Sequence, residues 1–195
     1  MSAFDHPAAL ANYQACSARI YQEEIRNIAT TRVVDRQQNE NSMDCMIRLA
    51  TKDDATAISR IVIAALRESN AQDYPPEVIA QVEKSFTPEA VAALLDKRRG
   101  FVASIHGVPI ATASLDGDVV RTVFVDPAHQ GSGVGRRLME TLHAEALNAG
   151  ITRLLVPSSL TAEGFYAGLG YRKVRDESHG AERTIVMEKT LQAYG

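Results

Sequence analysis

The run Gln130-Gly131-Ser132-Gly133-Val134-Gly135 offers the clearest chemistry in the chain. It follows a strand-like stretch, residues 119–125, and leads into a helix-like stretch, residues 136–149. Glycines in such a turn let the backbone pass close to another molecule. The first N–H groups of the helix have no internal partner and point out of the turn. With the positive end of the helix dipole they make a site for a phosphate. Arg136 and Arg137 fall in the first helical turn. A cation there opposes the dipole at about 0.3–1 kcal/mol. A bound polyphosphate turns that cost into attraction.

Two known phosphate-binding patterns fit poorly. The dinucleotide fingerprint needs G-x-G-x-x-G, and this run reads G-x-G-x-G. That fingerprint also wants an acidic residue at the end of a second strand, and residues 151–156 contain none. The P-loop needs Gly-Lys-Ser/Thr, but arginines follow here. A nucleotide-binding regulator is therefore disfavoured. On the run alone, a glycine-rich connection without a ligand stays open.

The elements around the run set its position. The chain divides near residue 45 into an extension and a domain spanning residues 46–195. Residues 8–29 carry an amphipathic helical pattern, and 35–44 form a polar linker. Residues 46–49 read as a short strand. Thr51 caps a helix with Ile58, Ile61, Val62, Ala65 and Leu66 on its buried stripe. Tyr74-Pro75-Pro76-Glu77 opens a second helix. Thr87-Pro88-Glu89 opens a third, which Gly100 ends. Three strands follow over 101–105, 108–115 and 119–125, joined by His106-Gly107 and Asp116-Gly117 into an antiparallel meander. After the helix over 136–149, Gly150 supplies a C-terminal cap. Residues 151–156 form a buried strand, parallel to 119–125 through the intervening helix. A short helix over 160–169 and strands over 171–175 and 183–191 complete the domain. The fold class is α+β, an α/β three-layer sandwich with a mixed, mostly antiparallel sheet and helices on both faces.

Bulk properties narrow the function classes. The 195 residues are 45% hydrophobic and 23% charged, which supports a packed core. A formal charge of −3 and the lack of a basic run leave no field for holding nucleic acid. Cys16 and Cys45 cannot make a disulfide framework, and no C-x-x-C pair suggests a metal. No segment nears the roughly 18 apolar residues of a membrane span, and residues 1–30 lack the apolar core of a signal peptide. The expectation is a cytoplasmic protein with no membrane or nucleic-acid partner. Met43 and Met46 offer alternative starts.

Two separated motifs together resemble the GNAT superfamily of acyl-CoA-dependent N-acyltransferases. The first is Val123-Phe124-Val125-Asp126-Pro127 followed by Gln130-Gly131-Ser132-Gly133-Val134-Gly135. The second is Ala162, Phe165-Tyr166 and Leu169-Gly170-Tyr171. Met187-Glu188-Lys189 is similar to the family's closing strand, so the resemblance covers residues 46–191. Ser158-Ser159-Leu160-Thr161-Ala162 and the Tyr74-Pro75-Pro76-Glu77 segment resemble a poorly characterised bacterial branch.

The resemblance implies a site. Acetyl-CoA would lay its pyrophosphate on the amides of Gly131, Ser132, Gly133, Val134 and Gly135, with Gln130 and Arg136 beside it. Its pantetheine arm would run along Val123, Phe124 and Val125 like an added strand. An N–H of Phe124 or Val125 would polarise the thioester carbonyl. Ser159 stands where relatives use Asn toward the pantetheine, although a helix-cap role reads equally well. Ala162 and Phe165 lie in the second motif. Phe165 and Leu169 also read as core.

Tyr166 matches the family's acid for the leaving thiolate. Its structural alternative is a packed ring with a backbone-bonded hydroxyl. Many relatives carry a glutamate base early in the central strand, where this chain has Val119. The adjacent Asp118 is the candidate base, ahead of His143 and His179. Tyr74 and Arg121 are expected to face the acceptor. The implied activity is acetyl transfer to a primary amine of a small molecule or protein, with a homodimer also allowed. The absent glutamate keeps a non-catalytic acyl-CoA sensor as the second reading.

Overall fold

The computed structural model describes residues 45–192, apart from 73, 180 and 181. The expected helix over 8–29 and the linker over 35–44 lie outside the described residues. A seven-stranded sheet runs in the order β1-β2-β3-β4-β5-β7-β6. Its strands are β1 (Cys45–Leu49), β2 (Arg99–Ile105), β3 (Val108–Asp116), β4 (Val119–Val125), β5 (Arg153–Ser158), β6 (Arg172–His179) and β7 (Glu182–Thr190). Every neighbouring pair is antiparallel except β4 and β5. Those two are joined by a helix, which is why they run parallel.

The helices are α1 (Ala55–Glu68), α2 (Pro76–Glu83), α3 (Pro88–Leu95), α4 (Val134–Asn148) and α5 (Glu163–Gly168). On one face α4 buries Leu138, Met139, Leu142 and Ala146 against Ala111, Ala113, Val120, Leu154 and Val156 of the sheet. Each fully buried leucine there contributes about 1.5–3 kcal/mol of transfer free energy. On the other face, Ile58, Val62 and Leu66 of α1, with Ile79 and Val91, cover Val102. A fork from Arg48 onto both carboxylate oxygens of Asp54 (2.7 Å each) ties β1 to the start of α1. Asp54 also accepts the Thr51 N–H at 2.8 Å.

Among the boundaries that depart from the sequence expectation, four have a local reason or bear on the site. Helix α4 begins at Val134, not Arg136, because Gly133 already turns the chain in the left-handed region and Val134 can be buried at once. Strand β5 begins at Arg153, because the Ile151 N–H is spent on Ala146 O (2.8 Å), closing the end of α4. Gly100 lies inside β2 rather than ending α3. A Cβ there would come within 2.5 Å of Leu95 Cδ2, so its bareness lets α3 seat on the sheet. Strand β6 runs on to His179, past the expected end at 175.

Candidate active site

The central parallel pair barely pairs. Val119 opposite Leu155 is the one matched position, and Leu155 N donates to Asp118 O at 2.9 Å. Beyond it β4 and β5 part. The cause is visible in β4. Thr122 has φ +53, a left-handed conformation rare for a β-branched residue and costing about 1–3 kcal/mol. The register against β3 slips there, from Ser114↔Arg121 to Thr112↔Phe124. This bulge bends the strand away from its neighbour. It also changes which side chains share a face. Ser114 and Thr112 sit on the α1–α3 face with Val102, so Arg121 and Phe124 both face those helices although they stand three positions apart.

The split opens a cleft of about 950 Å³. Beyond the bulge the backbone of β4 is exposed to it. Asp126 N donates to Ile110 O of β3 at 2.8 Å. N–H directions alternate along a strand, so the Val125 and Val123 N–H groups point the other way, into the cleft. The glycine turn closes the same end. Gly131 and Gly133 both have positive φ (+75 and +83). The first helical bond of α4 runs from Arg137 N to Gly133 O at 3.2 Å. The N–H groups of Val134, Gly135 and Arg136 are thereby left without a helical partner. The result is an anion cradle made of backbone.

The sequence-predicted residues divide by position. Val123, Phe124, Val125, Gln130, Gly131, Gly133, Val134, Gly135, Arg136, Ser159, Ala162, Phe165, Tyr166, Tyr74 and Arg121 all line this cleft. Ser132 does not; its hydroxyl donates to His129 O at 2.6 Å and braces the turn. Gln130 also has a bracing role, donating from Nε2 to Ser69 Oγ (2.7 Å) and to Val125 O (3.1 Å). Ser159 Oγ accepts from Ala162 N at 3.3 Å, the turn-capping role. Phe165 is 38% exposed rather than core, with its ring edge against Gly135. The two arginines separate: Arg136 lines the cleft, whereas Arg137 donates to Cys45 O on β1 at 2.8 Å.

Asp118 is not brought to the cleft. It is an exposed turn residue between β3 and β4, and what it offers inward is its carbonyl, already bonded to Leu155. The reason is the tight turn at Gly117, which throws the side chain outward.

Three buried tyrosines are distinguished by their hydroxyls. Tyr74 Oη donates to Arg183 O (2.8 Å) and accepts from Leu160 N (3.0 Å). It straps the segment before α2 to β7 and to the turn after β5. Tyr171 Oη pairs with His143 Nε2 at 3.0 Å, and His143 does not line the cleft. Burial and then the Lys189 charge push the His143 pKa down to about 4. Tyr166 is 5% exposed, packed edge-on between Phe165 (5.1 Å) and Tyr171 (5.7 Å). Its hydroxyl has no hydrogen-bond partner among the described residues, and the residue lines the cleft. Burial, and then the neighbouring Tyr171, raise its pKa, which keeps the phenol protonated.

Sequence reasoning missed Arg98, Arg175 and Glu177, which also line the cleft. Arg175 Nε donates to Glu177 Oε1 at 2.7 Å. Glu177 is the only carboxylate lining the cleft among the described residues. Only the β5-β7-β6 order, which inserts β7 between them, carries β6 to this position.

A cleft where two parallel strands part, closed by a backbone anion cradle, sits on a mixed sheet that known proteins share. The model of the acetyltransferase (GNAT) domain family matches residues 70–191, and the chain belongs to that family. Serotonin N-acetyltransferase 2, chloroplastic, of Oryza sativa subsp. japonica is 35% identical over 83 residues, 40% of this chain and 42% of that protein. The chain spans less than half the length of the first curated relatives it matches, 42% and 43%. A GCN5-related N-acetyltransferase from Rhodopseudomonas palustris superposes with a TM-score of 0.71 at 28% identity, over 75% of this chain and 95% of that one. The PaiA N-acetyltransferase of Thermoplasma acidophilum, solved in complex with coenzyme A, shares the fold at a TM-score of 0.65 and 15% identity, over 75% of this chain and 98% of that one.

Proposed function

We propose that this chain transfers the acetyl group of acetyl-CoA to a primary amine. The observation that carries the reading is the unpartnered Tyr166 hydroxyl in the cleft where β4 and β5 part. Family membership and the backbone cradle at Gly131–Arg136 support acyl-CoA as the donor. The cradle fits a pyrophosphate by its free N–H groups, by the Arg136 charge and by the open space before Gly131 and Gly133, where a Cβ would meet nothing within 4 Å.

Acetyl-CoA supplies an electrophilic acyl carbon and a thiol leaving group. The exposed edge of β4 receives the pantetheine arm as an added strand would be received. The Val125 or Val123 N–H donates to the carbonyl oxygen as it gains charge, so Val125 is kept from the sequence expectation and Phe124 is replaced by Val123. The Tyr166 hydroxyl donates its proton to the departing sulfur. An alkylamine has a pKa near about 10.4 and must lose a proton to attack. Glu177 takes that proton; Arg175 holds its Oε1 and leaves Oε2 for the amine. The acceptor is a small-molecule or protein amine. Among the described residues no helix is long and apolar enough to cross a membrane.

The test is thiol release from acetyl-CoA with an amine panel, followed by mass spectrometry of products. Amine-dependent release with a product heavier by one acetyl group supports the reading. Calorimetric binding of acetyl-CoA without turnover across the panel would instead favour an acyl-CoA sensor.

A further inference from the structure

We infer that the acceptor carries a carboxylate close to its amine, an amino-acid-like small molecule, and that Arg121 receives it. The inference deepens the acetyltransferase reading and rests on it. Arg121 lies on the α1–α3 face of β4, just before the bulge, and lines the cleft. Its Nε is buried and has no hydrogen-bond partner among the described residues. Nor does any other atom of its side chain have a hydrogen bond or ion pair among them.

The neighbouring arginines differ. Arg98 Nε meets Asp116 Oδ2 at 3.3 Å, and Arg175 holds Glu177. Their charge is already answered. Among the described residues that line the cleft with Arg98 and Arg175, Arg121 offers an unanswered guanidinium, and its buried Nε–H loses water without gaining a partner. A guanidinium edge matches a carboxylate bidentately, so a bound carboxylate satisfies the donors that the fold leaves open. The pyrophosphate of the donor is not that group, because its cradle lies past the bulge at the opposite end of β4.

The companion group is present too. Glu177 Oε2 can meet an ammonium before it takes the proton. A cation and a carboxylate that line one cleft suit a molecule that bears both an anion and an amine. Tyr74 lines the cleft, and its hydroxyl fixes that wall to Arg183 O and Leu160 N. A wall fixed in this way favours a small acceptor over a folded protein surface.

The experiment compares matched pairs: amino acids against their carboxamides and decarboxylated amines. Turnover gives kcat/KM for each. Calorimetry on the protein saturated with coenzyme A gives binding without chemistry. The carboxylate member should be preferred by about ten- to hundredfold, the weight of a charge-assisted contact. Arg121→Met should bring that ratio close to one through KM, and Arg121→Lys should recover part of it. If Arg121→Met fails to fold, the ratio is read on Arg121→Lys, where it should be reduced.

Equal use or equal binding of carboxylate and carboxamide partners overturns the inference. So does a ratio indifferent to position 121, or acetylated protein lysine as the only product. Carboxylate-selective, Arg121-dependent binding without any turnover sustains the inference while removing the acetyltransferase reading.

Discussion

The two ends of the cleft are built from different material. At the glycine turn the protein presents main chain: the N–H groups of Val134, Gly135 and Arg136, and the free edge of β4. Elsewhere along the cleft it presents side chains drawn from distant elements: Arg121 of β4, Arg98 before β2, and Arg175 and Glu177 of β6. Main chain suits a ligand that never changes, because its geometry depends only on φ, ψ and a few glycines. Side chains suit a ligand that differs between relatives. Tyr166 stands where the two ends meet, and the bulge at Thr122 marks the division.

The largest expected effect therefore falls on neither end but on the junction. Tyr166→Phe removes one oxygen that has no hydrogen-bond partner among the described residues. Single-turnover and steady-state assays should show kcat reduced by about 10²-fold or more, the scale of general acid catalysis. Coenzyme A binding, read by calorimetry, should be almost unmoved, since the ring still packs between Phe165 and Tyr171. A rate loss under threefold would leave Tyr166 only a packing role.

Two further variants test whether the ends are separable. Glu177→Gln should lower kcat/KM for the amine by about ten- to hundredfold while coenzyme A affinity stays within about twofold. Gly133→Ala should do the reverse. A Cβ at φ +83 costs about 1–2 kcal/mol, and a cradle forced to relax should bind coenzyme A about five- to thirtyfold more weakly. Acceptor KM should hardly respond. If each variant moves both ligands equally, the division drawn at Thr122 is wrong.

The same contrast governs what the sequence discloses. A backbone site must advertise itself, since Gly131 and Gly133 occupy conformations that other residues avoid. The residues of the glycine turn that line the cleft, all but Ser132, were accordingly legible in the sequence, and so was the order of elements through turns at His106-Gly107 and Asp116-Gly117. The side-chain end left no local trace. Glu177 matters only because β6 pairs outside β7, and no spacing along the chain encodes that. Asp118 misled because adjacency to Val119 in sequence says nothing about the turn that points it outward. Thr122 could not be foreseen as the bulge, because a β-branched residue is a poor candidate for positive φ. Arg136 and Arg137 read alike in sequence. A helical step of about 100° sends one to the cleft and the other to Cys45.

The smallest effect concerns stability, and it bears on the cofactor end alone. Helix α4 supplies the cradle at its first turn and carries His143 further along, locked to Tyr171 beside Tyr166. Burial holds the His143 pKa at about 4, against 6.5 for the free side chain. The folded value lies below the unfolded one, so the unfolded chain gains a proton first as pH falls. Stability from this group is complete above about pH 6.5 and drains away down to about pH 4. Asp54 acts in a lower window. The hydrogen bond from Arg48 lowers its carboxyl pKa from 3.8, so its contribution is complete above that value and is lost only in stronger acid. Melting temperatures taken from pH 7.5 down to 4.5 should thus fall in the wild type and fall less in His143→Gln. Coenzyme A should raise the whole curve without changing its slope, if the cradle does not itself titrate. An unchanged slope in His143→Gln would detach acid sensitivity from α4 and leave the cofactor end no weaker in acid than the acceptor end.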